Sequence, residues 1–160
     1  MVPARLTEYL DGNNAKYVII SHAPAFTAQG IASLTHIPGK ELAKTVIVKL
    51  DGTLAMAILP AKFHVDVEML RKITAAKMVA IASEDDFKDQ FPDCETGAMP
   101  PFGNLFGLNV FADESLEQDA EIVFNAGTHR DLVRMFWSDY KRLVRPRVVR
   151  FAAGQPAQAA

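Results

Sequence analysis

The chain has 160 residues, of which 49% are hydrophobic and 22% charged, and its formal net charge is −2. This composition is typical of one globular domain, and the charge excludes a generally basic nucleic-acid-binding protein. No apolar run approaches the roughly 20 residues of a membrane-spanning helix, and the one cysteine, Cys94, excludes an internal disulfide. We therefore expect a protein of the reducing cytoplasm that has no membrane segment.

Charge is distributed unevenly along the sequence. Residues 83–121 contain eleven acidic residues and one lysine, whereas residues 129–150 contain seven Lys or Arg residues and two acidic ones. A basic segment of this kind can bind a phosphate backbone. A solvated surface of mixed charge is the alternative, and composition by itself favours it.

Three elements are predicted in the first 40 residues. Apolar residues at helical spacing after Pro3 predict a short amphipathic helix over residues 3–13. The β-branched and aromatic side chains of residues 17–20 predict a strand. Thr27 can cap a second helix that runs to about residue 34.

A β-hairpin is the clearest prediction of the next segment. Residues 45–50 and 53–59 are both strand-like, and the Asp51-Gly52 pair between them is a strong hairpin signal. Asp66 then predicts the start of a helix that runs to about residue 76. Residues 78–82 predict a short buried strand.

The second half of the chain alternates strands and short helices. Ser83, followed three residues later by Asp86, predicts a helix start, and Ser138 predicts another helix that runs to Val144. Strands or extended segments are predicted over residues 108–112, 121–125, 132–136 and 146–151. The mixture predicts an α+β single domain.

The loop over residues 93–103 is poorly suited to regular structure, because it combines two glycines with two prolines. We expect a stiff loop in which Met99 and Phe102 are apolar anchors and the backbone N–H groups near Gly97 are free. Residue types alone favour a plain connector here.

Most patterns of catalytic chemistry are absent from the sequence. The four histidines are scattered and Cys94 has no partner at zinc-site spacing, so we expect no metal. Cys94 lies between two acidic residues, which disfavours a reactive thiolate. Glycine-rich phosphate loops and a nucleophilic serine motif are also missing. Lys44, at the start of an apolar strand, would by itself be interpreted as a surface residue. His129, in a turn, would be interpreted as solvent-exposed or hydrogen-bonded to nearby backbone.

Five segments change that interpretation because they occur together and in one order: residues 17–22, residues 43–49 with Asp51-Gly52, and residues 97–103, 113–115 and 125–127. Together they resemble the YbaK family of aminoacyl-tRNA deacylases, which is related to the editing domain of bacterial prolyl-tRNA synthetases. The resemblance covers about residues 17–150. The Lys-Thr strand and the Gly-x-x-x-Pro loop are each weak signals, but in this order they are quite specific.

The resemblance implies a compact α+β domain with a mixed, partly barrel-like β-sheet flanked by helices. We assign residues 1–152 to this editing domain. Residues 153–160 are expected to be a disordered tail, because they have little apolar surface to bury.

The resemblance also implies hydrolysis of the ester that joins a wrong amino acid to tRNA. The family's strand lysine corresponds to Lys44, and its loop glycine and proline correspond to Gly97 and Pro101, which are the predicted catalytic residues. Backbone N–H groups of a fixed loop can stabilise an oxyanion, and an ammonium group can orient the ester. The predicted substrate-binding residues are His22, Phe26, Thr45, Ala98, Met99, Gly127 and His129.

We therefore expect a cytoplasmic, trans-acting deacylase that needs no cofactor or metal and whose partner is mischarged aminoacyl-tRNA. A tRNA- or nucleotide-binding module of the same fold, without turnover, is the alternative. The sequence leaves several points open: the amino acid and tRNA recognised, whether water or a substrate group attacks, the role of His129, the oligomeric state, and whether the protein acts alone or bound to an aminoacyl-tRNA synthetase.

Overall fold

The computed structural model describes residues 1–24, 30, 37 and 41–154. Apart from residue 30, which is helical, the helix predicted over residues 27–34 lies outside the described residues, as does the candidate residue Phe26. The helices within them are α1 (Ala4–Gly12), α2 (Val67–Thr74), α3 (Glu84–Phe87) and α4 (Trp137–Val144). The strands are β1 (Tyr17–Ser21), β2 (Leu42–Leu50), β3 (Thr53–Pro60), β4 (His64–Val65), β5 (Val79–Ile81), β6 (Asn109–Asp113), β7 (Glu121–Asn125), β8 (Asp131–Phe136), β9 (Arg147–Val149) and β10 (Ala152–Ala153).

Eight of the described strands form one mixed sheet, in the order β1-β8-β7-β2-β3-β6-β9, with β5 paired to β2 as the eighth strand. The remaining two, β4 and β10, pair with each other. Strand β2 divides its pairing, since Leu42 and Ala43 pair in parallel with β7 whereas Val48–Leu50 pair with β5. Lys44 is therefore the first residue after β2 leaves β7.

The sheet separates two apolar layers. On one side Ala43 and Ile47 of β2 share a cluster with α1 and α4, and we call this side the helix face. On the other side lie Leu42 and Val46, in the clusters that contain Ile37 and Leu70 of α2. Because side chains alternate along a strand, Lys44 lies on this second side, which we call the lysine face.

The α+β prediction is confirmed, as are most of the predicted elements. Asp51 and Gly52 have φ values of 51° and 83°, so the β2–β3 hairpin has the turn that the Asp-Gly pair predicts. The Asp66 carboxylate caps α2 by accepting the N–H groups of Glu68 and Met69. The Asp86 carboxylate accepts the N–H of Ser83, as a capping box requires, although α3 is a single turn.

Three predictions are wrong in detail. Helix α4 begins at Trp137 instead of being capped by Ser138, because Trp137 is buried and packs its ring 5.3 Å from that of Tyr140. The strand predicted over residues 78–82 forms but is not buried. Among the described strands it pairs with β2 alone, and Met78 and Ile81 are 75% and 52% exposed. Ala153, assigned from the sequence to the tail, pairs with His64 in the small sheet.

Candidate active site

The loop over residues 93–103 is anchored in the core of the helix face. Met99 and Phe102 are buried there, as predicted. The Phe102 ring lies 5.5 Å from that of Tyr140, and the Tyr140 hydroxyl donates a 2.7 Å hydrogen bond to the Pro101 carbonyl oxygen. Pro101 itself is buried. The second half of the loop therefore has little freedom to move.

The first half of the loop is tied to the turn between β7 and β8. The Glu95 N–H donates to the Gly127 carbonyl oxygen, and the Gly127 N–H donates to the Ala98 carbonyl oxygen, both at 2.8 Å. Gly127 has a φ of 91°, and a Cβ at this position would lie 2.5 Å from Cδ of Pro3. Only glycine fits there, so the sequence requirement at residue 127 is one of backbone geometry and space.

His129 holds the same two segments together through its side chain and backbone. Its N–H donates to Oε1 of Glu95 at 2.7 Å, and its Nε2 lies 2.8 Å from the Thr96 carbonyl oxygen. A carbonyl oxygen only accepts hydrogen bonds, so Nε2 carries the proton. A Cβ placed on Gly97 would lie 3.6 Å from Cε1 of His129. His129 thus lies against Gly97 and positions the loop.

The backbone donors near Gly97 are not free, which corrects the expectation from sequence. The Ala98 N–H donates to the Glu95 carbonyl oxygen at 3.0 Å, since residues 95–98 form a tight turn. The Gly97 N–H lies 3.2 Å from the Met99 sulfur. A thioether is a weak acceptor, so an oxyanion would compete well for this one N–H group. Gly97 is exposed and has a φ of 87°.

Lys44 is half-buried on the lysine face. Burial lowers the pKa of Lys44, because leaving water penalises the charged form. None of the ion pairs within the described part of the chain involves Lys44. A partly desolvated ammonium group without a carboxylate partner can attract an anionic group of a ligand.

Asn125, which sequence reasoning did not single out for its side chain, lies beside Lys44. Leu42 pairs in parallel with Val123 and Ala43 with Phe124, and Lys44 and Asn125 are the next residues of the two strands. Oδ1 of Asn125 is buried and has no hydrogen-bond partner among the described residues. The signal in the sequence is an amide that ends an apolar strand directly before a glycine turn.

His22 also lies on the lysine face, just beyond the end of β1. Its N–H donates to the Arg130 carbonyl oxygen at 2.8 Å, which continues the β1–β8 ladder by one residue. Its Nε2 is buried and has no hydrogen-bond partner in the described ranges. The structure therefore brings Lys44, Asn125 and His22 to one end of one face, next to the turn that carries Gly127 and His129.

Three candidate residues do not join this group through their side chains. Thr45 lies on the helix face, because it alternates with Lys44 along β2. The Met99 side chain is buried, and it lines a small cavity together with Phe91, Cys94 and Thr96. Ala98 is also buried, and it takes part through its backbone carbonyl oxygen.

Cys94 lies close to the turn but has the wrong electrostatic environment for a nucleophile. Burial and the neighbouring Asp93 raise the pKa of Cys94 to about 11, so the thiol is protonated at neutral pH. No group of three or more potential metal ligands occurs among the described residues. No helix in the described ranges is long and apolar enough to cross a bilayer.

The site and the fold agree with a class of proteins that act on aminoacyl-tRNA. The family model for the aminoacyl-tRNA editing domain matches residues 22–143. The chain belongs to this family of aminoacyl-tRNA editing domains. None of the curated proteins matches the chain significantly in sequence.

Solved structures share the fold at low sequence identity. The hypothetical protein APE2540 is 14% identical with a TM-score of 0.83, and the match covers 92% of this chain and 99% of that one. A protein proposed to be a trans-editing enzyme for prolyl-tRNA synthetase is 19% identical with a TM-score of 0.78, over 94% and 96% of the two chains. A proposed signal transduction protein from Marinobacter aquaeolei has a TM-score of 0.74 at 17% identity, and the match covers 95% of this chain but 31% of that one.

Proposed function

We propose that the protein is a trans-acting deacylase that hydrolyses the ester bond of mischarged aminoacyl-tRNA in the cytoplasm. Membership of the editing-domain family supports a role on aminoacyl-tRNA. The observation that carries the proposal is Lys44, a half-buried ammonium group with no carboxylate partner among the described residues, at the end of the sheet where the Gly97 loop meets the β7–β8 turn. A lysine that bound no ligand would lose hydration of its ammonium group at such a position without a compensating contact.

The chemistry assigned to these residues is hydrolysis without an enzyme nucleophile. The attacking group, which is water or a group of the substrate itself, adds to the ester carbonyl carbon and gives up a proton, and the carbonyl oxygen becomes an oxyanion. The intermediate then collapses, the bond to the ribose oxygen breaks, and that oxygen receives a proton. Lys44 holds a phosphate or hydroxyl group of the terminal adenosine, and so orients the ester.

The Gly97 N–H is the proposed oxyanion donor. Its present acceptor is a thioether sulfur, which a developing negative charge can displace. Pro101 fixes the loop from the core side, and His129 fixes it from the turn. Both are therefore positioning residues in this mechanism. Cys94 has no part in it, because its pKa is raised.

The prolyl-tRNA synthetase system is the first in which to look for the substrate. A protein of the same fold is proposed to be a trans-editing enzyme for prolyl-tRNA synthetase. We therefore propose tRNA for proline, carrying a wrong amino acid, as the first candidate, and the synthetase as a candidate partner.

The decisive experiment is deacylation of a panel of mischarged tRNAs by the purified protein. We expect one or more members to be hydrolysed, and Lys44→Ala to abolish turnover, with a loss of about 100-fold or more as the ester loses its orientation. Cys94→Ser is the matched control and should be nearly silent. Circular dichroism checks that both variants are folded.

Three outcomes would count against the proposal. If the wild-type protein binds tRNA but hydrolyses no member of the panel, it is a binding module. If Lys44→Ala retains turnover at saturating tRNA, Lys44 is a surface residue. A 100-fold loss of kcat in Cys94→Ser would instead mean a thiol nucleophile.

A further inference from the structure

We infer that an exposed patch on the lysine face binds the single-stranded acceptor end of the tRNA, upstream of the terminal adenosine. The patch consists of Lys16, Val18, Arg134 and Phe136. This inference rests on the proposed function, since it places the RNA that precedes the ester bound near Lys44. It divides the basic segment over residues 129–150 into a part that binds RNA and a part that does not.

The alternation of side chains places the patch on the same face as Lys44. In β8, Val133 and Met135 belong to the cluster of the helix face, whereas Leu132 packs with Leu42 and Val123 on the lysine face. Arg134 and Phe136 follow Leu132 at intervals of two, so they also lie on the lysine face. Val18 pairs with Arg134, and the same register brings Lys16 opposite Phe136.

The patch combines exposed apolar groups with cations. Val18 is 58% and Phe136 45% exposed, although both belong to regular strands. Arg134 and Lys16 have no acidic partner among the described residues. Glu121, opposite Phe136, is the acid that faces the patch, and it forms no ion pair within the described ranges. An aromatic ring beside free cations is the chemistry that binds single-stranded RNA, by base stacking and phosphate contacts.

The two cations of α4 are different, because both are already paired. Lys141 of α4 lies 2.8 Å from a carboxylate oxygen of Glu117, and Arg142 lies 3.3 Å from one of Asp139. Binding a phosphate there would require breaking these contacts. Charge complementarity therefore favours the patch that contains Arg134, and not α4, as the surface that binds RNA.

The position of the patch also suits an acceptor strand. Asn125, beside Lys44, pairs with Leu132, and Arg134 follows two residues further along β8. Phe136 is then about 13 Å along the strand from Leu132. A short length of single-stranded RNA can span that distance, with its terminal adenosine at Lys44 and the preceding bases at Phe136.

The test measures tRNA affinity as a function of salt concentration for two variants. Arg134→Ala should bind several-fold more weakly, and the slope of log affinity against log salt should become shallower by about 0.7, because one phosphate contact to a single strand is lost. Phe136→Ala should bind about tenfold more weakly with an unchanged slope, because a stacking contact is lost but no charge. The matched control, Arg142→Ala, should bind as the wild type does.

Conservative variants separate contact from folding. Phe136→Tyr retains the ring and Arg134→Lys retains the charge, so both should recover most of the affinity. Equal binding by Arg134→Ala, Phe136→Ala and the wild type would overturn the inference. If Arg142→Ala is the only variant that binds tRNA more weakly, RNA binding belongs to the helix face, and the inference is also overturned.

A minimal substrate separates this inference from the proposed function. Arg134→Ala and Phe136→Ala should lose much of their activity on aminoacyl-tRNA. They should lose little activity on a 2′(3′)-aminoacyl-adenosine, which has no upstream nucleotides. If the wild-type protein hydrolyses neither substrate, the proposed function fails. If it hydrolyses both, and the two variants are impaired equally on both, the patch does not bind upstream RNA and the inference fails.

Discussion

Partial burial of Lys44 carries a cost in stability. Its ammonium group leaves water without gaining a carboxylate among the described residues, which lowers the pKa of Lys44 from its ordinary value of 10.5. The fold therefore bears a desolvation cost at this position. An apolar side chain of similar length would avoid that cost, so the sequence of β2 is not the one that stability alone would select.

Lys44→Met should consequently make the protein more stable at pH 7. Well below the folded-state pKa, Lys44 is charged in both the folded and the unfolded state, and the full cost is present. As the pH rises from the lowered pKa towards 10.5, the folded protein releases its proton first, so wild-type stability rises relative to the variant. Urea unfolding at pH 7 and pH 10 measures the difference in the free energy of unfolding between the variant and the wild type. This difference should be smaller at the higher pH. A variant that is less stable at pH 7 would mean that the ammonium group makes a favourable contact.

At the scale of elements, the loop over residues 93–103 is fixed at both ends by different means. Its second half is held by burial of Met99 and Phe102 and by the Tyr140 hydroxyl, whereas Gly97 is exposed and held by hydrogen bonds of residues 95–98. Substitutions at the two ends should therefore affect different properties of the protein.

Gly97→Ala should lower kcat at least about ten times more than Pro101→Ala does, as expected if a single oxyanion donor is displaced. The added methyl group fits in space, 3.6 Å from Cε1 of His129, but a φ of 87° is strained for alanine, so the loop must shift. Pro101→Ala removes buried atoms and should mainly lower the melting temperature. Both are measured on the best substrate, with thermal unfolding in parallel. Equal and small effects on kcat would make the loop a connector.

Local signals predicted the elements well, but not the orientation of side chains within the site. The Asp51-Gly52 turn and the Asp66 cap depend on neighbours in sequence, so they could be predicted from residue types. Thr45 lies on the face of the sheet opposite to that of Lys44, and this placement depends on the alternation of side chains along the strand. The burial of Met99 depends on packing against distant segments. The Asn125 side chain was not singled out, because its position beside Lys44 depends on the register between β2 and β7, which lie far apart in the chain.

At the scale of the whole molecule, the C-terminal segment completes the core. Phe151 is fully buried, and the N–H groups of Phe151 and Ala152 donate to Oδ1 of the buried Asp113, both at 2.9 Å. Strand β10 then pairs with β4 beside α2. Residues 151–153 are therefore part of the folded unit and not an appendage.

Truncation after Arg150 should destabilise the protein by at least about 3 kcal/mol, because it removes a buried phenylalanine and leaves Asp113 with fewer donors. Truncation after Gly154 is the matched control and should leave the free energy of unfolding unchanged. Guanidinium unfolding of both shortened proteins measures the difference. Equal stabilities would show that the contacts of Phe151 contribute little.

The pairing of β1 with β8 also determines the order in which the chain can fold. Tyr17 pairs with Met135, so the edge of the sheet joins segments from opposite ends of the sequence. During synthesis the β2–β3 hairpin can form as soon as it leaves the ribosome. Strand β1, with its exposed Val18 and Ile19, has no partner among the described strands until β8 follows. Closing so long a loop is slow, and an unpaired apolar strand is prone to aggregation while it waits. Refolding yield should therefore fall as protein concentration rises, and chaperones that hold nascent chains should protect this N-terminal strand.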